Sequence, residues 1–299
     1  MFDTFLLILP DFLLIALGAL LRHKLGFQGE FFSYAEKLVY YVLFPALLFY
    51  SISQTSLQGD ETLLLLAAVV CLTAVGFVAA LLAKPILKCD GLQHASLQQC
   101  AFRFNTYLAL SLASALAGPT GVAIMAVFVG LSVPIVNVLA VHALARNSNR
   151  NPYKEILANP LIIATVLGLL FSLSGLSMPT PVNTALSRLG ACALAIGLLC
   201  VGATISIKAL HGAQRLVGWI IAVKLLILPI SAVFISKLLA LSALETQMLI
   251  LFAALPTASS AHVLAARMGG KGDLVATTMS LGTLLAAITL PLWIQFSLS

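Results

Sequence analysis

The chain has 299 residues, of which 61% are hydrophobic and only 9% are charged, and its mean hydropathy is +1.09. A soluble domain carries about 25% charged residues, and a chain of this length cannot bury so much apolar surface in its own interior. The composition therefore excludes an ordinary soluble domain and predicts an integral membrane protein. The net charge of +6 comes from scattered single residues, so we expect no nucleic-acid partner.

Ten apolar segments, each long enough to cross a lipid bilayer, follow one another along the chain. The predicted spans cover about residues 4–22, 33–54, 62–83, 95–117, 120–144, 156–177, 185–206, 214–238, 246–267 and 273–296. Twelve of the fourteen Lys and Arg residues in the loops lie in odd-numbered loops, the exceptions being Arg188 and Lys237. Because such cations stay in the cytoplasm, we predict a multi-pass protein of the cell membrane with both termini outside.

The two halves of the chain resemble each other at an offset of about 150 residues. The matching residues are Pro10 with Pro160, Gly18 with Gly168, Gly118 with Gly270 and Gly130 with Gly282. We therefore predict a first five-helix repeat over residues 1–149 and a second over residues 150–299. Five helices are an odd number, so the second repeat must insert upside down, an arrangement common among secondary transporters.

The fourth and ninth spans both contain residues that break a membrane helix. Asn105 and Thr106 favour a helix start, which predicts a break near residues 104–106. Pro256 removes a backbone donor in the ninth span, and Thr257 and Ser259 can cap the helix that follows. Two broken helices at matching repeat positions indicate a transport site, and the N-termini of their second halves suit an anion.

Ionisable residues are rare inside the spans, where a charge costs about 2.5–3.5 kcal/mol on insertion scales. We expect a small organic anion to bind where the two broken helices cross, with Arg103 as the preferred counter-charge. The candidate substrate-binding residues are Arg103, Asn105, Thr106, Tyr107, Lys224, Pro256, Thr257, Ser259 and His262. Asp11 and His262 are candidates for proton coupling, but the position of His262 favours a hydrogen-bonded packing residue, and Lys224 fits either the site or an anchor between two helices.

Other classes of function have less support in the sequence. A membrane protease would need an HExxH motif or two acids inside the membrane, and neither is present. The five cysteines form no CxxC motif, so we expect no metal site. Without a catalytic motif, we also expect no cofactor and no enzyme activity. A proton- or sodium-coupled symporter or exchanger of another solute remains the alternative. A membrane-embedded enzyme or a structural protein fits less well.

Four motifs give the chain a family resemblance over essentially its full length. They are Phe44–Leu47 (FPAL), Asn159–Ile162 (NPLI), Lys224–Pro229 (KLLILP) and Ala254–Ala258 (ALPTA). With these motifs the chain resembles the auxin efflux carrier family, and its bacterial members in particular. Asn105 and Pro256 resemble the asparagine and proline at which the broken helices of this family cross.

The resemblance implies an all-α membrane fold like that of the sodium/bile-acid symporters, with ten helices of which the fourth and ninth are broken and cross. It implies a homodimer in which the first, second, sixth and seventh helices form a scaffold and the others a moving transport domain. It also implies organic-anion substrates, which are auxin in plant members and malate- or malonate-like acids in bacterial ones.

Overall fold

The computed structural model describes residues 2–54, 60–147, 152–204, 210–258 and 260–298, and these residues form helices without any β-strand. In chain order the helices are α1 (Phe2–His23), α2 (Gly29–Leu38), α3 (Phe44–Ser53), α4 (Asp60–Leu87), α5 (Gly91–Leu97), α6 (Gln99–Phe102), α7 (Thr106–Asn147), α8 (Pro152–Ala158), α9 (Pro160–Leu173), α10 (Thr180–Thr204), α11 (Gln214–Ala222), α12 (Leu228–Leu238), α13 (Ala243–Ala254), α14 (Ser260–Arg267) and α15 (Gly272–Leu298).

Several helical stretches are long and apolar enough to cross a membrane. Within the described residues there are six, namely Gly29–Tyr50, Leu63–Leu87, Thr120–Asn147, Thr180–Ala203, Gln214–Leu238 and Gly272–Ser297. Shorter apolar helices cover Leu13–His23, Pro160–Leu173 and Ala243–Ala254. Large apolar side chains such as Leu13, Phe234 and Ile288 are exposed on the outer faces, where lipid would cover them. The chain is thus an all-helical, multi-pass membrane protein.

Polar side chains cap the starts of α5, α9 and α13. Asp90 accepts hydrogen bonds from two backbone N–H groups of α5, and Asn159 does the same for α9, which begins at Pro160 inside the predicted sixth span. Ser242 and Glu245 form a reciprocal capping box at α13. Each cap satisfies backbone donors that lipid could not satisfy, so these residues fix where the apolar helices begin.

Two π-helical turns precede prolines inside the long helices. Val39–Leu43 joins α2 to α3 ahead of Pro45, and Val223–Ile227 joins α11 to α12 ahead of Pro229. A proline in a helix lacks an N–H donor and its ring clashes with the preceding turn. The wider π turn accommodates this defect, so both helices continue past their prolines.

The helices predicted to be broken are interrupted close to the expected residues. After α6 the backbone is extended at Arg103, and α7 starts three residues later at Thr106. After α13 the backbone is extended at Leu255, and α14 starts at Ser260. A second kink divides α7 at Ala117 and Gly118, where Gly118 has φ 57° and ψ −147°, a conformation that favours glycine. The first half of α7 therefore spans residues 106–116 and the second half residues 119–147.

The buried apolar side chains form two main clusters. The larger joins α4, α6, α7, α11, α12, α13 and α15, with Phe128, Met248 and Leu249 among its fully buried members. The other links the π turn after α2 with α3, α9 and α10, and joins them to the second half of α7 and to α14. The two clusters share α3, α7 and α14, and a smaller cluster joins α1 and α10 to α15.

Glycines let α1 and α10 pack backbone to backbone. A Cβ atom added at Gly18 would overlap the backbone of Leu199, and one added at Gly202 would overlap the carbonyl group of Ile15. Small residues at such positions are what allow membrane helices to approach closely, because dispersion contacts replace the missing hydrophobic driving force.

We expect Gly202→Ala to weaken the contact between α1 and α10 by roughly 1–3 kcal/mol, because the new methyl group has no space. The measurement is the thermal unfolding midpoint of the purified protein in detergent. Gly218→Ala is the matched control, since a Cβ atom at this helical position meets nothing within 4 Å. Equal midpoints for both variants would contradict the close packing of α1 on α10.

Candidate functional site

The two helix breaks lie against each other and satisfy each other's backbone. The Asn105 N–H donates to the Pro256 carbonyl oxygen at 2.9 Å. The Thr257 hydroxyl donates to the Cys100 carbonyl oxygen at 2.7 Å, near the end of α6. Backbone groups released by a break inside a membrane need partners within the protein. Each interruption supplies partners for the other, which explains how two irregular segments coexist there.

Asn105 acts as the cap of α7, as its residue type predicted. Its side-chain oxygen accepts a hydrogen bond from the Leu108 N–H at 3.2 Å, and its carbonyl oxygen accepts from the Ala109 N–H. The side chain is buried. This cap directs the N-terminus of α7, with its partial positive charge, toward the break at Arg103–Asn105.

Arg103 is a buried cation whose guanidinium group contacts neutral partners. Its Nη1 donates to the Ser260 hydroxyl and its Nη2 donates to the Asn137 Oδ1, both at 2.7 Å. Only 3% of the residue is exposed. Within the part of the chain that the structure describes, no carboxylate lies within ion-pair distance of Arg103, and its Nε has no acceptor. The site therefore holds an uncompensated positive charge.

A cleft opens beside Arg103 and encloses about 560 Å³ of empty space, including its open mouth. Its polar residues are Arg103, Asn105, Thr106, Asn137 and Ser260, and its apolar walls are Phe44, Leu47, Leu48, Phe104, Val133, Val136, Leu161 and Ala258. We call this space the arginine cleft.

Asn137 is a member of the arginine cleft that sequence reasoning missed. Its Oδ1 accepts the hydrogen bond from Arg103, and among the described residues its buried Nδ2 has no acceptor. Arg103 Nε is a second buried donor for which the described part of the chain supplies no acceptor. Such groups are costly unless a ligand or water completes them. The signal in the sequence was a lone amide within the apolar second half of α7.

Lys224 lies elsewhere, next to a smaller cavity of about 220 Å³ that Pro256 and Thr257 also line. Its Nζ donates to the Ala253 carbonyl oxygen at 3.2 Å, close to the C-terminus of α13. A helix C-terminus carries partial negative charge, so this contact fits the anchoring role. The candidate residues thus divide: Arg103, Asn105 and Thr106 line the arginine cleft, whereas Lys224, Pro256 and Thr257 line the smaller cavity.

His262 lines neither cavity. Its Nδ1 lies 2.9 Å from the Gly272 carbonyl oxygen, and its Nε2 lies 3.1 Å from Oε1 of Glu36. Ser259 lies outside the described residues, as do the side chains of Asp11 and Tyr107. Within the described residues, no group of three or more His, Cys, Asp and Glu side chains could hold a metal ion.

Comparisons with known proteins show the family to which this sequence belongs. The sequence profile described as "Membrane transport protein" matches residues 142–294, just over half of the chain. An "Uncharacterized transporter" of Methanothermobacter thermautotrophicus is 27% identical over 294 residues, which is 96% of this chain and 96% of that protein. A "Putative malonate transporter" of Rhizobium meliloti is 25% identical over 295 residues, which is 95% of this chain and 92% of that protein. The chain therefore belongs to the membrane transport protein family, which includes the auxin efflux carriers that its motifs resemble.

Proposed function

We propose that this membrane transporter carries small organic anions, mono- or dicarboxylates, across the cell membrane by alternating access, with the anion bound in the arginine cleft. The proposal rests on the buried guanidinium group of Arg103, which lies beside the cleft with neutral partners and whose Nε has no acceptor among the residues that the structure describes. A bound carboxylate would supply the missing negative charge and the missing acceptor in one step.

The chemistry of the cleft favours a carboxylate over a neutral solute. A guanidinium group offers planar, paired donors that match the two oxygens of a carboxylate. Asn137, whose Nδ2 has no acceptor among the described residues, and Thr106, at the N-terminus of α7, also line the cleft and add further donors. The apolar walls of Phe44, Leu47 and Leu161 suit the carbon body of the anion. The relative of Rhizobium meliloti named for malonate supports the same substrate class.

The helix bounds support the proposed two-repeat organisation, residues 1–149 and 150–299. Helices α5 and α6 cover residues 91–102, and α13 covers residues 243–254, an offset of 152 at both ends. The stretch from α2 to α3 covers residues 29–53, and α10 covers residues 180–204, an offset of 151. A break, a half-helix and a long final helix follow in both halves. With the five spans predicted for each half, the second half would run inverted in the membrane.

The position of the cleft supports alternating access. Its walls come partly from α3 and α9, which the family resemblance assigns to a scaffold, and partly from α7 and α14, which belong to the moving domain. A site between two groups of helices opens to one side or the other when the groups shift. We propose a homodimer of such units, as the resemblance implies.

The proposed orientation predicts that a reporter fused after residue 299 is active only outside the cell, because the cation-rich loops stay in the cytoplasm. A second fusion between Arg146 and Lys154 provides the opposite control and should report a cytoplasmic position. A cytoplasmic C-terminus in the intact protein would contradict the ten-span arrangement.

We expect Arg103→Gln to abolish carboxylate transport, because the glutamine keeps hydrogen bonds but removes the charge. Arg103→Lys should impair transport strongly, since an ammonium group cannot grip a carboxylate with two parallel hydrogen bonds. The measurement is exchange of radiolabelled malonate, malate, pyruvate and acetate in proteoliposomes. Arg188→Gln removes an exposed cation on α10 and is the matched control. Wild-type exchange by both Arg103 variants would exclude Arg103 as the counter-charge.

A sharper variant is Asn137→Asp, which places a carboxylate 2.7 Å from Arg103 Nη2 at almost no change in volume. The carboxylate of the new aspartate should form an ion pair with the Arg103 guanidinium group and so compete with the substrate. We therefore expect anion affinity to fall by about tenfold or more while the protein stays folded. Calorimetric titration with the transported acid measures the affinity, and size-exclusion chromatography checks the fold. Asn147→Asp, near the end of α7, is the control. Unchanged affinity in Asn137→Asp would show that the anion binds elsewhere.

A further inference from the structure

His262 and Glu36 form a buried pair outside the arginine cleft. The Nε2 of His262 lies 3.1 Å from Oε1 of Glu36, and the two side chains are only 1% and 12% exposed. The other ring nitrogen, Nδ1, lies 2.9 Å from the Gly272 carbonyl oxygen. Both ring nitrogens therefore face oxygen atoms, and one of these oxygens belongs to a carboxyl group.

Hydrogen-bond chemistry requires one proton between the two side chains. A backbone carbonyl oxygen only accepts, so His262 Nδ1 must carry hydrogen. An unprotonated Nε2 facing an ionised carboxylate would set a lone pair against a negative oxygen. A hydrogen bond forms there only when the pair holds one further proton, as an imidazolium with a carboxylate or as an imidazole with a carboxylic acid.

The pair connects helices that the proposed transport cycle moves apart. Glu36 lies on α2, in the scaffold, and His262 lies on α14, in the moving domain. Arg267, at the end of α14, makes a second contact by donating to the Ser33 carbonyl oxygen of α2. The same α14 begins with Ser260, which accepts the hydrogen bond from Arg103. A shift of α14 relative to α2 therefore changes the proton-holding pair and the anion cleft together.

Other ionisable groups lie on the elements packed around this pair. They are Arg267 on α14, Lys37 on α2, Tyr40 on the π turn, Asp273 on α15 and Cys200 on α10, whose thiol lies within electrostatic reach of both Glu36 and Arg267. These groups do not remove the need for one proton between His262 Nε2 and the Glu36 oxygen, because these two atoms are in direct contact.

On the basis of the proposed anion carrier, we propose that His262 and Glu36 together bind one proton that is transported with each anion. While the proton is bound, the hydrogen bond holds α14 against α2. The carrier with both anion and proton bound then separates the two helices, water from the opposite side of the membrane reaches the pair, and the proton leaves, giving a neutral imidazole and an ionised carboxylate. The carrier returns without anion or proton, and the next proton binds from the first side and re-forms the hydrogen bond, so each cycle moves one proton.

The test is a pH gradient imposed on proteoliposomes, with the membrane potential clamped at zero by valinomycin and equal potassium. The probes are radiolabelled malonate, malate, pyruvate and acetate. For one proton per anion, a gradient of one pH unit should drive about tenfold accumulation of the transported acid. Exchange of labelled for unlabelled acid, measured without a gradient, reports carrier activity independently of coupling.

Glu36→Gln should separate the two activities, because the amide cannot gain or lose a proton. We expect this variant to keep exchange and to lose gradient-driven accumulation. Glu30→Gln, an exposed carboxyl on the same helix, is the matched control and should keep both. His262→Gln provides a second variant should Glu36→Gln fail to fold, with the same expected split.

Three results would overturn the proposal. Exchange by the wild type without accumulation would refute the proton site and leave the anion carrier standing. Accumulation by Glu36→Gln or His262→Gln at the wild-type level would assign proton coupling to another group. No exchange of any of the four acids by the wild type would refute the proposed function and the proton site together.

Discussion

The proposed site depends on one buried cation, Arg103, which is held by neutral partners where two broken helices meet. Burial of an unpaired guanidinium group is costly, and here Ser260 and Asn137 provide dipoles but no opposing charge. This cost is the reason why we propose that the cleft beside Arg103 receives an anion. The second cation inside the spans, Lys224, instead contacts a backbone carbonyl at the end of α13.

The helix breaks create this site, and because lipid offers no hydrogen bonds, the backbone groups at each break need partners within the protein. Asn105 and Pro256 release backbone groups in the middle of membrane helices, and each break satisfies the other. The same breaks start two half-helices, α14 and the first half of α7, next to the cleft. Family membership identifies a transporter, and the cleft between the proposed scaffold and moving domain suggests how an anion would cross.

The sequence was most informative where local chemistry decides the structure. Cap-forming residues and a proline predicted the breaks at Asn105 and Pro256, and continuous apolar runs predicted the membrane helices. Long-range partners were beyond it: Asn137 lies 34 residues from Arg103 along the chain, and Glu36 lies 226 residues from His262. Sequence reasoning also grouped Lys224 with Arg103, because charge and depth in the membrane do not reveal which side of a helix crossing a residue occupies.

Binding of the substrate's carboxylate to Arg103 can be tested with an experimental structure of the protein with a transported carboxylic acid bound at saturation. We expect density for the acid in the arginine cleft, with its carboxylate within hydrogen-bond distance of Arg103 Nε and Asn137 Nδ2. Density beside Lys224 in the smaller cavity, with the arginine cleft empty, would contradict it.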